Sequence, residues 1–330
     1  MTGRNWSRRG TLASAAGLLW SGVAWAQAAA PAQPADPNAP ESLKSAVDQA
    51  QRLTTEVFIN GRGPYLFLVD TGADHSVISR ELAAEVGLPP GPLVMVHGVA
   101  GDLTAPSALV QEFRVGSRSL NDVALPLLEQ ANIGAAGVLG IDAVRDQRVM
   151  LDFRSNRILV SDSPPQRPTP GEVVVKGHSR FGQLVLVDST LDDRSILVII
   201  DTGAESSIAN SAFRRRINVT DFEQSGEITA IYSVTGQSTT GKWAVIPAIQ
   251  VGGFNMKHVA VVFSDLRSFE RWRVHDQPTL LLGMDILRFF DMVEIDFARR
   301  EVRFGGLRAE EGPLHAPFHV ANAPVSPPHA

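Results

Sequence analysis

Apolar residues come in short runs of Val, Ile, Leu and Phe, broken every few positions by Gly, Pro or Asn. Runs of this length and composition predict strands, so the folded part reads as all-β. Helical patterning is confined to four short stretches, 79–86, 142–147, 210–217 and 285–290. Four regions depart from the strand pattern. Residues 1–26 have a basic start, an apolar stretch over 12–25 rich in Ala and Gly, and a small-x-small site at Ala24-Trp25-Ala26. They predict an export signal, whose apolar run is shorter than the ~20 residues of a membrane span. Ser7-Arg8-Arg9-Gly10-Thr11-Leu12 resembles the bacterial twin-arginine signal, with Thr11 where that pattern prefers Phe. The expected location is therefore outside the cytoplasm, periplasmic or secreted. Residues 27–45 read as an Ala/Pro-rich tether, 162–171 with four prolines as a linker, and 309–330 as a disordered tail.

Laid against each other, the segments before and after the linker repeat one design. Leu66-Phe67-Leu68-Val69-Asp70-Thr71-Gly72-Ala73 matches Leu197-Val198-Ile199-Ile200-Asp201-Thr202-Gly203-Ala204. The order continues through Gly101 and Gly236, Val115-Gly116 and Val251-Gly252, and Val123-Ala124 and Val259-Ala260. It closes with Val138-Leu139-Gly140-Ile141-Asp142 against Leu281-Leu282-Gly283-Met284-Asp285, and Leu151-Asp152-Phe153 against Ile295-Asp296-Phe297. Shared landmarks in one order predict two equivalent lobes, 46–161 and 172–308. The second has a longer segment at 265–278, expected to be a surface insertion.

A chain of 330 residues exceeds the usual single-domain length, which agrees with two lobes. With 44% hydrophobic and 20% charged residues, it is composed like a soluble globular protein. The absence of cysteine excludes disulfides, thiol nucleophiles and cysteine-ligated metals. The leader holds Arg4, Arg8 and Arg9 and no acidic residue, so its removal takes the formal charge from −5 to −8. Such acidity disfavours nucleic acid as a partner. The eight histidines are dispersed without H-E-x-x-H spacing, and neither a phosphate loop nor a dinucleotide fingerprint occurs. No metal and no cofactor are expected.

Without metal, thiol or a serine triad, a hydrolase needs a strong general base beside a general acid. Two carboxylates about 3 Å apart supply both, because they cannot both ionise and so share one proton. Asp70 and Asp201 are the candidates. In each turn the glycine, Gly72 or Gly203, allows close backbone approach with a free N–H. The hydroxyls of Thr71 and Thr202 are placed to tie one turn to the other across the lobes. A single D-T-G is also an ordinary β-turn sequence; two in matching context are a stronger signal.

Both halves resemble the retropepsin branch of the pepsin and retroviral aspartic proteases, fused in tandem as in pepsin, over most of the mature chain. The resemblance implies two pseudo-symmetric β-barrel lobes with a cleft between them, catalytic Asp70 and Asp201, and Val138-Leu139-Gly140 and Leu281-Leu282-Gly283 packed under the turns. It implies an endopeptidase acting on an extended polypeptide, as a monomer because one chain carries both aspartates. Asp70 to Val77 reads like the retroviral D-T-G-A-D-x-[ST]-V, which implies that Asp74, and more loosely Glu205, contacts substrate backbone or bridges the lobes. Both carboxylates fit a solvated or ion-paired role as well. Family members close a β-hairpin flap over the substrate. Its candidates are 96–102 and 231–237, with Gly98, Gly101 and Gly236 as bending points. Tyr232 fits a flap contact and a plain surface position equally. Asp142, Asp152, Asp285 and Asp296 recur as well, and beside Gly or short helices they read as caps and turn formers.

Ala73 and Ala204 stand where pepsin-like enzymes commonly carry Ser or Thr. The missing hydroxyl raises the proton affinity of the pair, which predicts a pH optimum at weakly acidic to neutral values. The competing function is a binding module that keeps the cleft without turnover, such as a peptide-binding regulator.

Overall fold

A computed structural model describes residues 41–44, 53–116, 118–155, 157–180, 183–186, 189–217 and 227–307. The export signal, the tail and most of the tether lie outside the described residues. Glu41–Lys44, at the end of the stretch read as tether, forms an edge strand antiparallel to Arg157–Ser161.

The first half closes a six-stranded barrel from Thr54–Ile59, Arg62–Val69, Val77–Ser79, Ser107–Val115, Arg118–Leu128 and Gly137–Leu139. Arg62–Val69 pairs in parallel with Gly137–Leu139, setting Val69 opposite Leu139. The short strand Val77–Ser79 lies between Gly137–Leu139 and Arg118–Leu128. The second half repeats this order. Leu197–Ile200 runs parallel to Thr279–Leu282, with Ile200 opposite Leu282, and Ile208–Ala209 lies between Thr279–Leu282 and Phe254–Phe263. The architecture is therefore two pseudo-symmetric β-barrel lobes with a few short helices.

A third element joins the lobes. Arg148–Asp152 of the first half pairs antiparallel with Phe290–Asp296 of the second, and Arg157–Ser161 and Glu301–Leu307 flank them. On this sheet the buried side chains of Arg148 and Arg303 stand 3.5 and 3.4 Å from the two carboxylate oxygens of buried Glu294. Burial nevertheless raises the proton affinity of Glu294 above the ordinary carboxylate range, outweighing the two arginines. Buried aromatic rings fill the lobes: Phe67 meets Phe113 edge-on at 5.6 Å, and Phe254, Phe290 and Phe304 contact one another.

Each expected helix is present in shortened form. Arg80–Val86 starts on Ser79, whose hydroxyl accepts the Leu82 N–H at 3.0 Å, and stops at Gly87 with φ +74°. Asn210 caps Ser211–Arg214 in the same way, accepting the Phe213 N–H at 2.8 Å. Ile141–Val144 and Met284–Leu287 follow the two Leu-Gly elements.

The 265–278 segment corrects the sequence-based expectation. It contains the helix Arg267–Arg271, and Leu266, Phe269, Trp272 and Val274 are buried, so it is a packed wall of the second lobe and not a surface insertion. The physical reason is its spacing of large apolar residues, which buries against Ile199, Ile208 and Leu281. A single helical turn is too short for periodicity to reveal this.

Candidate active site

The two D-T-G-A turns meet back to back between the lobes. Each is held from beneath by the Leu-Gly element of its own half: Asp70 N–H donates to Leu139 O at 3.1 Å, and Asp201 N–H to Leu282 O at 3.0 Å. Beyond each turn a serine is lashed to the aspartate after the Leu-Gly. Ser76 donates through its N–H and hydroxyl to Asp142, at 3.0 and 2.8 Å to Oδ1, and its Oγ accepts the Gly140 N–H. Ser207, Asp285 and Gly283 repeat the arrangement. Burial raises the proton affinity of Asp285, and the Ser207 bonds oppose it. Asp142 and Asp285 thus pin the turns. Asp152 and Asp296 are turn acceptors, taking the N–H groups of Arg154 and Ser155 and of Arg299.

The threonines cross between the turns. Thr71 Oγ1 donates to Ile200 O at 3.0 Å and accepts the Thr202 N–H at 3.1 Å. Thr202 Oγ1 donates to Val69 O at 2.7 Å and accepts the Thr71 N–H at 3.0 Å. All four bonds are buried, which sets the separation of the two turns.

The carboxylates face each other on this frame. Asp70 Oδ1 accepts the N–H groups of Gly72 and Ala73 at 2.8 and 3.1 Å, and Asp201 Oδ1 accepts that of Gly203 at 2.9 Å. Asp201 is 5% exposed and its side chain is hydrogen-bonded to that of Asp70. Burial first, then the charge of Asp70, then their shared bond raise the proton affinity of Asp201 well above the ordinary range. Each glycine abuts the opposite aspartate. A Cβ on Gly203 would stand 2.4 Å from Asp70 Oδ2, and one on Gly72 would stand 2.6 Å from Asp201 Oδ2. Gly203→Ala is therefore expected to displace the Asp70 carboxylate and to cost about 1–3 kcal/mol of stability by overpacking. Thermal denaturation checks the cost; an unchanged melting temperature would mean that the turns have slack.

Above the pair lies a cavity of about 740 Å³ that both aspartates line. Two hairpins cover it. Val94–His97 pairs with Asp102–Ala105, and Ile228–Tyr232 with the start of Ser238–Val251. Their tips meet: a Cβ on Gly98 would stand 2.2 Å from Ser233 Oγ, one on Gly101 equally close to Gln237 Oε1, and Gln237 donates to Asp102 O at 3.2 Å. Gly236, with φ +82°, turns the second tip against Asn132. Each tip seats on the other lobe. Val99 packs with Ile199, Ile208 and Leu281 of the second half, and its carbonyl accepts the Arg267 N–H at 2.9 Å. Val234 packs with Leu68, Val77 and Val138 of the first. Tyr232 stands at the cavity mouth, 80% exposed, whereas neighbouring Ile231 joins the apolar cluster. Asp74 lies across the lobes from Arg271, its Oδ2 3.6 Å from Nη2. Glu205 is exposed on the cavity rim, and its carbonyl accepts the Asp285 N–H at 3.1 Å.

A family profile described as "Aspartyl protease" matches residues 55–143 and again 187–286, together more than half of the chain. The chain belongs to the aspartyl protease family. A search among curated proteins found no match. In this aspartyl protease family member each matched region carries one D-T-G-A turn and ends just past the Leu-Gly-x-Asp that supports it. The strands joining the lobes, Arg148–Asp152 and Phe290–Asp296, lie outside both matches. Sequence reasoning missed Arg271 and Trp272 at the cavity wall. It also missed the serine-to-aspartate lashings, although their signal was there: Ser76 and Ser207, Asp142 and Asp285 recur at matched positions in the two halves.

Proposed function

We propose that the chain is an aspartic endopeptidase that hydrolyses peptide bonds within proteins by direct attack of water. One observation carries this conclusion: the carboxyls of Asp70 and Asp201, one from each lobe, share a hydrogen bond in a cavity roofed by two hairpins.

Burial, then the charge of Asp70, raises the proton affinity of Asp201, so in this reading Asp201 carries the proton of the pair and Asp70, whose Oδ1 accepts the N–H groups of Gly72 and Ala73, serves as the base. A water held between them gives a proton to Asp70 as its oxygen bonds to the substrate carbonyl carbon. Asp201 gives its proton to the carbonyl oxygen, forming a tetrahedral diol. As the C–N bond breaks, Asp70 passes its proton to the leaving nitrogen and Asp201 recovers one from a diol hydroxyl. No covalent intermediate forms, and the pair ends as it began. An extended polypeptide lies between the aspartates and the hairpins, adding main-chain hydrogen bonds as a further strand. One chain suffices as a monomer, and residues 1–26 direct it out of the cytoplasm.

Incubation with a denatured protein across pH 3–8, beside Asp70→Asn and Asp201→Asn variants, tests the proposal. Cleavage by the parent chain and by neither variant is expected. A folded parent that binds peptides and cuts none at any pH would instead favour the silent peptide-binding regulator.

A further inference from the structure

The two side walls of the cavity differ in chemistry. In the first half the wall is Leu125, Pro126 and, from the helix Gln130–Ile133, Asn132. In the second half the segment containing the helix Arg267–Arg271 presents Ser268, Arg271 and Trp272, which all line the cavity. Positions three and four apart share one helix face, so these three form a single patch, while Arg267 and Glu270 pair at 2.9 Å on the solvent side. The patch is rich in donors: a hydroxyl, a guanidinium and an indole N–H.

Two of those donors lack a hydrogen-bond partner among the described residues. Ser268 Oγ and Trp272 Nε1 are buried without a hydrogen bond among the described residues, and each residue is 3% exposed. An unsatisfied buried polar group is costly, and native proteins keep few of them. Arg271 is half-buried, and its charged partner among the described residues is Asp74 at 3.6 Å through Nη2. A guanidinium has five N–H donors, so one long contact leaves capacity for a second acceptor.

We propose that Ser268, Arg271 and Trp272 form a subsite for an acidic side chain of the substrate, to one side of the scissile bond. This rests on the cavity being the peptide-binding cleft. A carboxylate is acceptor-only, with about four lone-pair sites, enough for all three donors; an amide would turn an NH2 toward them. The opposite wall, with Leu125 and Pro126, takes an apolar side chain. Cleavage sites are then asymmetric about the bond.

The chain carrying Asp201→Asn, which prevents turnover, is titrated with dye-labelled peptides of apolar centre, amidated at the C-terminus, with Glu or Gln at successive positions. Fluorescence anisotropy is expected to give about tenfold tighter binding of Glu than of Gln at one position, as befits a charge-assisted bond. Adding Ser268→Ala, Trp272→Phe or Arg271→Gln is expected to reduce that preference. Ser268→Ala removes a hydroxyl that has no partner among the described residues, so the melting temperature of the peptide-free chain should hold or rise while affinity for the Glu peptide falls. This signature keeps the test decisive if Arg271→Gln fails to fold. Equal binding of Glu and Gln at every position, or a lower melting temperature for Ser268→Ala with the preference intact, overturns the subsite and leaves the proteolytic function standing. A Gln peptide with a free C-terminus binding as tightly as the Glu peptide overturns it in favour of a chain-end carboxylate. Binding of no peptide overturns both.

Discussion

Asp201→Asn is expected to abolish peptide cleavage, by about 10⁴-fold in kcat/KM, and at the same time to stabilise the chain at neutral pH. The two effects share one cause. Burial and the charge of Asp70 make the folded chain hold the Asp201 proton more tightly than the unfolded chain, where its affinity is ordinary, near pH 3.8. The contribution to stability is fully present below that value and is lost as pH rises through the folded value. Each tenfold excess in proton affinity is worth about 1.4 kcal/mol. For a chain of this size 1 kcal/mol moves the melting temperature by about 2–4 °C. Asparagine has no proton to lose and no charge to bury. The melting temperature of the variant should therefore exceed that of the parent at pH 7, and the gap should close as pH falls toward 4. A variant less stable by the same amount at every pH would show that Asp201 ionises normally. The same proton sets the activity profile. In the proposed mechanism Asp201 acts protonated, so its raised affinity would carry the alkaline limb upward, and Ala73 and Ala204 bring no side-chain hydroxyl to oppose this. The optimum is expected at weakly acidic to neutral pH, read from kcat/KM between pH 3 and 8.

What could be read from the sequence was what is encoded locally and written twice. The strand-turn sequence around Asp70 and Asp201, the Leu-Gly elements and the Ser79 and Asn210 helix starts depend on near neighbours, and duplication separated them from chance. The sheet joining the lobes was not legible. Its central pairing sets Met150 against Glu294, and no local pattern fixes a register across so long a separation. The hairpin tips were found through their glycines, but not their exchange. That Val99 seats on the second lobe and Val234 on the first follows from three-dimensional closure alone. The 265–278 segment was misjudged because extra length relative to its twin suggests a solvent loop. Leu266, Phe269, Trp272 and Val274 instead carry enough apolar surface to make the extra length a wall.

Thr202→Val is expected to destabilise the whole chain by about 2–6 kcal/mol, with loss of cleavage, although it alters neither carboxylate. Valine matches the shape of threonine and lacks the hydroxyl. Its substitution removes the bond to Val69 O and the acceptor of the Thr71 N–H, stranding a buried carbonyl and a buried donor in the opposite turn. Each stranded group costs about 1–3 kcal/mol, against a total stability of about 5–15 kcal/mol for ordinary domains. Thr202→Ser keeps both bonds and gives up one methyl group, about 1 kcal/mol. The difference between Val and Ser at this position therefore isolates the hydroxyl. Thr71→Val should behave alike, because it strands Ile200 O and the Thr202 N–H. Since each hydroxyl bridges to the other turn, the double variant should lose less than the sum of the two singles: once the turns part, water reaches the groups that either substitution alone leaves dry. Urea denaturation of the four chains measures that coupling. Additive losses would mean that each threonine stabilises only its own turn, and the spacing of Asp70 and Asp201 would then have to be held by the strands that join the lobes, Arg148–Asp152 and Phe290–Asp296.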